Sequence, residues 1–132
     1  MKSPGYLFDT HALIFWSNQT TVSTQFIQFF DEQNRQGTLY VSSISFWEIA
    51  LLVQKGRLAL PDVHAWQNEL FRHTNLRLLD PSVAEMIDST LLPVHHKDPF
   101  DRILIAQATH HALVFVTQDQ LIQQYNIPQL WL

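Results

Sequence analysis

Short apolar runs alternate with longer segments of helical periodicity along the whole chain. The short runs are rich in β-branched, aromatic or leucine residues, as expected of buried strands. They lie at Tyr6–Phe8, Thr38–Val41, Leu76–Leu79, Leu113–Thr117 and, as an edge strand, Leu130–Trp131. Helical spacing of apolar residues covers residues 12–16, 22–30, 44–53, 61–73, 81–90 and 99–111, and a short helix is predicted to begin at Asp119.

Residues that favour helix ends support these boundaries. Gly37 should end the second helix, Ser42 and Ser43 can cap the third, and Lys55-Gly56 should close it. No internal repeat or linker interrupts the pattern, so we predict one domain over residues 1–132. Strands that alternate with helices indicate an α/β sandwich around a mostly parallel sheet, in which function collects beyond the carboxyl ends of the strands.

Composition narrows the class of protein. The chain is 46% hydrophobic and 15% charged, which is typical of a compact globular protein and not of a disordered one. The absence of cysteine excludes thiolate metal sites and disulfides. A net charge of −4 argues against a protein that grips nucleic acid over one broad basic face. The apolar run after Met1–Gly5 is too short for a signal peptide, so we expect a cytoplasmic protein.

Five acidic residues stand at positions where they could meet. Asp9 directly follows the first strand, and Asp119 lies just past the strand that ends at Thr117. Glu48 lies inside an almost wholly apolar helix, and Asp98 and Asp101 open another. A parallel sheet would bring most of these residues to one edge.

Each of these acids also has a purely structural interpretation, except Glu48. Asp9 and Asp119 could cap helices, and Asp98 before a proline is a common helix start. Asp101 would then lie at the third helical position, where an acid interacts favourably with the helix dipole. Glu48 has no base within a helical turn, and an unpaired buried carboxylate costs several kcal/mol.

Carboxylates that converge without bases repel each other, and a divalent cation relieves that repulsion. An oxygen-only ligand set suits Mg²⁺ or Mn²⁺. A metal held in this way can activate water and stabilise the charge that develops when a phosphodiester is cleaved.

Four segments together resemble a known family. The segments YLFDTHALIFW, VSSISFWEIALLVQKGRL, HHKDPFDRILIAQA and LVFVTQDQLIQQYNI are similar, in this order, to the blocks of PIN-domain ribonucleases. The similarity is strongest to VapC-type toxins of bacterial VapBC toxin–antitoxin pairs. It implies a three-layer α/β/α sandwich and an endoribonuclease that cuts RNA with water activated by Mg²⁺ or Mn²⁺. It also implies a homodimer that is inhibited by a VapB-like antitoxin, for which an exposed apolar strip would be a suitable docking site.

The resemblance also assigns roles to residues of this chain. It places four acids in the catalytic metal site: Asp9, Glu48, Asp101 and Asp119. Asp98 is then a helix cap or an outer ligand of the metal, and the hydroxyls of Thr10 and Thr117 support the site.

The basic residues are assigned more simply. Arg102 is predicted to contact RNA phosphates, whereas Lys55, Arg57 and Lys97 are predicted to be only solvated. The adjacent pairs His95-His96 and His110-His111 form no metal-binding signature, because neighbouring residues do not share one helix face. His11 is predicted to be a packing residue.

Three other functions are compatible with parts of the sequence. A receiver-like phospho-signalling module also has acids at strand ends, but it needs an acid pair after the first strand and a late lysine, and no lysine follows Lys97. A phosphatase with a nucleophilic aspartate would need a second acid where His11 stands. A catalytically inactive RNA-binding domain on the same fold is opposed by the presence of all four acids.

Overall fold

The computed structural model describes residues 4–132, so that residues 1–3 of the N-terminal stretch discussed above lie outside the described residues. The strands are β1 (Tyr6–Phe8), β2 (Leu39–Ser42), β3 (Arg77–Leu79), β4 (Val114–Val116) and β5 (Gln129–Leu130). The helices are α1 (Thr10–Asn18), α2 (Thr24–Gln36), α3 (Ser43–Gln54), α4 (Val63–His73), α5 (Val83–Thr90) and α6 (Pro99–His110), with a 3-10 helix at Ile122–Gln124. Over the described residues, none of the helices has the length and apolar character that crossing a membrane would require.

The five strands form one parallel sheet in the order β3-β2-β1-β4-β5. Tyr6 of the central strand is in register with Leu39 on one side and with Val114 on the other. The predicted parallel sheet is therefore confirmed. β2 and β3 lie on one side of β1, and β4 and β5 lie on the other side. The strand order therefore reverses between β1 and β4, and this is the switch point of the sheet. A flavodoxin-type receiver would have the order 2-1-3-4-5 instead, which removes that alternative.

Successive residues of β1 face opposite sides of the sheet, because side chains alternate along a strand. Phe8 packs into a core that α1 to α4 share, with Phe26, Phe30 and Ile49 among its fully buried members. Leu7 faces the second core, which is built largely from α6 and β4. The expected three-layer α/β/α sandwich is confirmed by these two cores, one on each face.

Three helices begin two or three residues after the proline or aspartate that was predicted to start them. α4 begins after Asp62 and not at Pro61, because the Asp62 carboxylate accepts a hydrogen bond from the Ala65 N–H and so caps the helix. α5 likewise begins after Ser82, which forms a reciprocal capping box with Glu85. The helix expected at Asp119 is the 3-10 turn Ile122–Gln124. In the first two cases the capping side chain, and not the preceding proline, sets the boundary.

Candidate active site

Asp9 lies where β1 ends and α1 begins, beside the switch point of the sheet. Its Oδ1 accepts a hydrogen bond from the Ala12 N–H at 2.7 Å, so it caps α1, and the residue is only 6% exposed. Burial raises the pKa of Asp9 to about 6, although the hydrogen bonds from Ala12 and from the Thr117 hydroxyl partly offset the rise. The cap explains the position of this carboxylate, but capping alone does not require it to be buried.

Glu48 projects from α3, which follows β2 directly because Ser42 both ends the strand and caps the helix. Its Oε1 is buried and has no hydrogen-bond partner within residues 4–132. Burial raises the pKa of Glu48, a hydrogen bond from Thr10 lowers it, and the charge of Asp98 raises it further. The Thr10 hydroxyl is also hydrogen bonded to Ser45 at 3.0 Å. A buried oxygen without a donor is the kind of group that a cation satisfies.

Asp98 and Asp101 both lie at the start of α6 and have different roles there. Asp98 caps the helix through a hydrogen bond from the Phe100 N–H at 2.9 Å, with Pro99 at the first helical position. Asp101 therefore falls one turn into the helix, at its third position, where its side chain points to the other acids.

The surroundings of Asp101 show how closely the acids are grouped. Burial raises the pKa of Asp101 to about 8, and the negative charges of four other carboxylates add to the rise: in decreasing order, those of Asp98, Glu48, Asp9 and Asp119. We call these five residues the acid cluster. The parallel sheet thus gathers acids that are more than a hundred residues apart in the sequence, from Asp9 to Asp119.

Asp119 reaches the cluster from the turn after β4. Its backbone N–H donates to the Thr117 hydroxyl at 3.1 Å, and its Oδ1 accepts from the Leu121 N–H at 2.9 Å. Its other oxygen, Oδ2, lies 3.0 Å from Nε2 of His96. These local bonds fix the direction of the carboxylate without help from a helix.

His96 lies inside the cluster, a position that the sequence did not indicate. Its Nε2 is 3.0 Å from Asp119 Oδ2 and 3.1 Å from Asp101 Oδ2, and the three residues could together hold a metal ion. Its Nδ1, however, accepts the backbone N–H of Asp98 at 3.0 Å. Nε2 must therefore carry the proton in the neutral ring, and we assign His96 as a hydrogen-bond donor to Asp119 that also lies beside the Asp101 carboxylate.

The loop between α5 and α6 (residues 91–98) brings His96 into place. The Tyr125 hydroxyl donates to the Pro93 carbonyl at 2.6 Å and accepts the His96 N–H at 3.0 Å. Arg102 donates to the carbonyls of Leu92, Pro93 and His96 at 2.9 to 3.1 Å. The prediction that Arg102 contacts RNA phosphates stays a prediction, but both terminal nitrogens of its guanidinium are already engaged with the loop.

Two substitutions of His96 should show whether this residue acts as a hydrogen-bond donor to the carboxylates or as a ligand of the metal. We expect His96→Ala to weaken Mn²⁺ binding by roughly 10- to 100-fold, the usual cost of losing an outer-shell partner. His96→Gln retains an N–H donor at a similar reach and should recover most of that affinity, which calorimetric titration of the protein would show. Equal loss in the two variants would mean that His96 is a ligand and not a donor.

Replacing Arg102 should test the two roles of that residue. If Arg102 mainly holds the loop, Arg102→Gln should lower the free energy of unfolding by about 1–2 kcal/mol, since it removes charge-assisted hydrogen bonds to carbonyl groups. Urea unfolding of the metal-free protein measures this. An unchanged unfolding curve combined with weaker RNA binding would favour the phosphate-contact role instead.

His11 differs from its prediction as well. It was predicted to be a packing residue, but it is exposed on α1. Its ring lies 6.1 Å from that of Phe15. Lys55, Arg57 and Lys97 are exposed, in line with solvated cations.

Comparisons with known proteins agree with this fold and show the family. Residues 6–127 match the family model of the PIN domain. The chain is 32% identical to Ribonuclease VapC22 of Mycobacterium tuberculosis over 130 aligned residues. The aligned region covers 93% of this chain and 93% of that protein. The structure superposes on VapBC2 from Rickettsia felis bound to a promoter DNA fragment, with a TM-score of 0.71, 16% identity and coverage of 95% of this chain and 96% of that one. It also superposes on a toxin–antitoxin complex from Klebsiella pneumoniae, with a TM-score of 0.62, 18% identity and coverage of 92% and 93%. The resemblance of the four sequence segments is thereby confirmed, and the chain belongs to the PIN-domain family, among its VapC-type members.

Proposed function

We propose that this protein is an endoribonuclease that hydrolyses RNA phosphodiester bonds with a divalent metal, Mg²⁺ or Mn²⁺, held by the acid cluster. The observation that carries the proposal is the grouping of five carboxylates at the switch point of the sheet, where burial and then the charges of the other four raise the pKa of Asp101 to about 8. Within residues 4–132, no lysine or arginine forms an ion pair with any of them. Such a site is unfavourable by itself and becomes favourable when a cation binds.

The residues present fit a divalent metal. Glu48 Oε1 is a buried acceptor without a donor, and Asp9, Asp101 and Asp119 present further carboxylate oxygens of the kind that Mg²⁺ and Mn²⁺ prefer. These four acids would hold the ion, which supplies a Lewis acid and a source of hydroxide at neutral pH. Asp98, which already caps α6, would act from the outer shell.

The remaining residues of the site orient these ligands. His96 donates to Asp119 and lies 3.1 Å from Asp101 Oδ2, while the hydroxyls of Thr10 and Thr117 lower the pKa values of Glu48 and Asp9. Each carboxylate therefore meets the substrate with its direction already set, which lowers the cost of reorganisation during the reaction. RNA as substrate would place this activity in the cytoplasm.

The direct test is cleavage of RNA by the purified protein. We expect fragments in Mg²⁺ or Mn²⁺ and none in excess EDTA. Asp101→Ala should abolish cleavage, whereas Asp98→Ala should weaken it less, since Asp98 is proposed to act from the outer shell. Cleavage that persists in EDTA would contradict the mechanism, and the opposite order of the two variants would exchange their roles.

We further propose a VapB-like antitoxin as protein partner, in keeping with the toxin–antitoxin complex from Klebsiella pneumoniae that shares this fold. A suitable surface is an apolar cleft of about 400 Å³ between α3 and α4, which includes Phe46, Phe71 and the 59% exposed Trp47. An amphipathic helix could bury its apolar face there. Co-purification with the product of a small adjacent gene, and its loss in Trp47→Glu, would test this.

A homodimer is proposed on a different surface. Val83, Ile87, Leu91 and Val94 form an apolar stripe on and just after α5, each between 56% and 75% exposed. Such a stripe is unfavourable in water unless a second molecule covers it. We expect the protein to elute as a dimer in size-exclusion chromatography with light scattering, and Ile87→Glu to shift it to a monomer. A parent protein that is monomeric at high micromolar concentration would contradict the proposal.

A further inference from the structure

A cleft of about 450 Å³ opens beside the acid cluster, between α1 and the end of α3. Half of its lining is apolar, from Ile14, Phe15, Leu52 and Leu58, and the other half is polar or charged. Its rim carries Glu48 and Asp98, which also belong to the acid cluster, so the cleft is continuous with the candidate metal site. A volume of this size, with both apolar and polar groups, is typical of a site for a small ligand or for one unit of a polymer.

Arg57 is the cation of this cleft. It follows Gly56, whose φ of +73° forms the left-handed turn after α3, and it is exposed. Within residues 4–132 it forms no ion pair and no side-chain hydrogen bond. It also lines a second cleft of about 290 Å³ on the other side of Glu48 and Asp98. Unlike Arg102, which is engaged with backbone carbonyls, Arg57 is free to bind an anion that approaches the acid cluster.

The opposite wall carries two rings one helical turn apart on α1. The centroids of His11 and Phe15 are 6.1 Å apart, and their planes are inclined by 48°. Phe15 is half-buried and fixed against the core, whereas His11 is exposed at the rim. A flat aromatic group that entered the cleft could lie against these rings while an attached anion reached Arg57.

We propose that this cleft, which we call the α1–α3 cleft, binds the base of a nucleotide next to the scissile phosphate in single-stranded RNA, and that Arg57 binds the phosphate of that nucleotide. The inference rests on the proposed ribonuclease function and names the residues that hold one nucleotide of the substrate. A base can enter only if it is unstacked and unpaired, because bases inside an RNA duplex are not accessible to side chains. Arg57, which the sequence suggested to be only solvated, is then a substrate-binding residue.

The α1–α3 cleft suits a nucleotide better than a segment of protein. It combines aromatic rings with one guanidinium, the pairing by which single-stranded nucleic acid is commonly bound. The larger apolar surface that would favour a partner helix lies elsewhere, between α3 and α4.

The first experiment measures binding of a short single-stranded RNA to the full-length protein by fluorescence anisotropy, with Asp9→Asn in every variant to prevent cleavage. Arg57→Gln should raise Kd by roughly 10-fold, the effect of losing one charge-assisted contact. It should also reduce the slope of log Kd against log salt by about 0.7, the value for one phosphate contact on a single strand. Arg35→Gln, on the exposed surface of α2, is the matched control and should change neither quantity.

The second experiment removes the base and not the side chain. Cleavage sites are mapped first, and RNAs with an abasic residue on either side of the cut are then compared. We expect kcat/KM of the parent protein to fall by roughly 10-fold for one of the two abasic RNAs, within the range of one base–aromatic stack. Phe15→Leu should cause a similar loss on intact RNA and little additional loss on that abasic RNA, because both changes remove the same contact.

The outcomes separate the two proposals. Suppose that the parent cleaves RNA, that Arg57→Gln binds RNA as tightly as Arg35→Gln does, and that the abasic RNAs are cleaved like intact RNA. These results would overturn the cleft assignment and leave the ribonuclease function intact. Cleavage of duplex RNA as fast as of single strands would also overturn it. If Arg57→Gln weakened only antitoxin binding, the cleft would belong to the protein partner. Failure of the parent to cleave any RNA would overturn the ribonuclease proposal, and the cleft assignment with it.

Discussion

Asp9→Asn is expected to abolish RNA cleavage without weakening the fold. The substitution removes a charged ligand of the proposed metal site, and losses on the order of 10²- to 10³-fold or more follow when one preorganised electrostatic group is removed. The fold should survive because asparagine caps helices about as well as aspartate, so the hydrogen bond from the Ala12 N–H is kept.

The stability of this variant carries independent information. Burial raises the pKa of Asp9 to about 6, from an ordinary value of 3.8, so the ionised carboxylate is unfavourable in the folded protein at neutral pH. Asparagine has no such charge, and we expect the melting temperature of Asp9→Asn without metal at pH 7.5 to equal or exceed that of the parent.

The matched control is Asp62→Asn. Asp62 caps α4 in the same way, through a hydrogen bond from the Ala65 N–H at 3.1 Å, but it is exposed. Its replacement should leave the rate of cleavage unchanged. An Asp9→Asn variant that cleaves at the parent rate would remove Asp9 from the site, and one that unfolds would show that the carboxylate has a structural role beyond the cap.

The second large effect concerns pH and metal together. The pKa values of Asp9 and Asp101 are raised in the folded protein to about 6 and about 8, against 3.8 for an ordinary aspartate. Between pH 4 and 8 the folded protein therefore binds more protons than the unfolded chain, and the free energy of unfolding falls as pH rises. Without metal, we expect the protein to lose a few kcal/mol between pH 5 and pH 8, which differential scanning calorimetry would record as a melting temperature lower by roughly 5–10 °C.

A divalent cation should reverse this trend. Mn²⁺ or Mg²⁺ binds the ionised carboxylates and displaces their protons, so it should raise the melting temperature more at pH 8 than at pH 5. Titration calorimetry at pH 7 in buffers of different ionisation enthalpy should show that binding releases protons.

A variant is needed to isolate the contribution of the acid cluster to this pH dependence. Asp101→Asn removes the carboxyl group with the pKa of about 8 and should flatten the decline between pH 6 and pH 8. A decline that is identical in Asp101→Asn and in the parent would show that the acid cluster does not cause it.

Much of the fold could be predicted because it depends on local patterns. The apolar run Tyr6–Phe8 is β1 as expected, and Gly37 ends α2 at a φ of +73°, which glycine adopts without strain. Asp98-Pro99 begins α6 and thereby places Asp101 one turn inside the helix. Each of these features depends on residues within about one helical turn of each other, so the sequence alone contains the information.

The arrangement of the site could be predicted only in outline. Acids at the ends of parallel strands were expected to meet, because all such strands end at the same edge of the sheet. His96 was missed because it lies in a loop, where helical spacing does not apply. Only its position two residues before the capping Asp98 could have suggested a role.

The secondary structure, the parallel α/β architecture and the identity of the acids that meet in the fold could all be predicted from local patterns in the chain. Which basic and aromatic side chains surround those acids depends on how the elements pack. Tyr125 and Arg102 hold the α5–α6 loop so that His96 reaches Asp101 and Asp119, and these contacts join residues up to 32 positions apart. Arg102 is thereby drawn into the loop, while Arg57 is left exposed beside Glu48. Hydrogen bonds and electrostatic interactions depend on distance in space, and for these residues that distance is set only when the elements that carry them pack together in the fold.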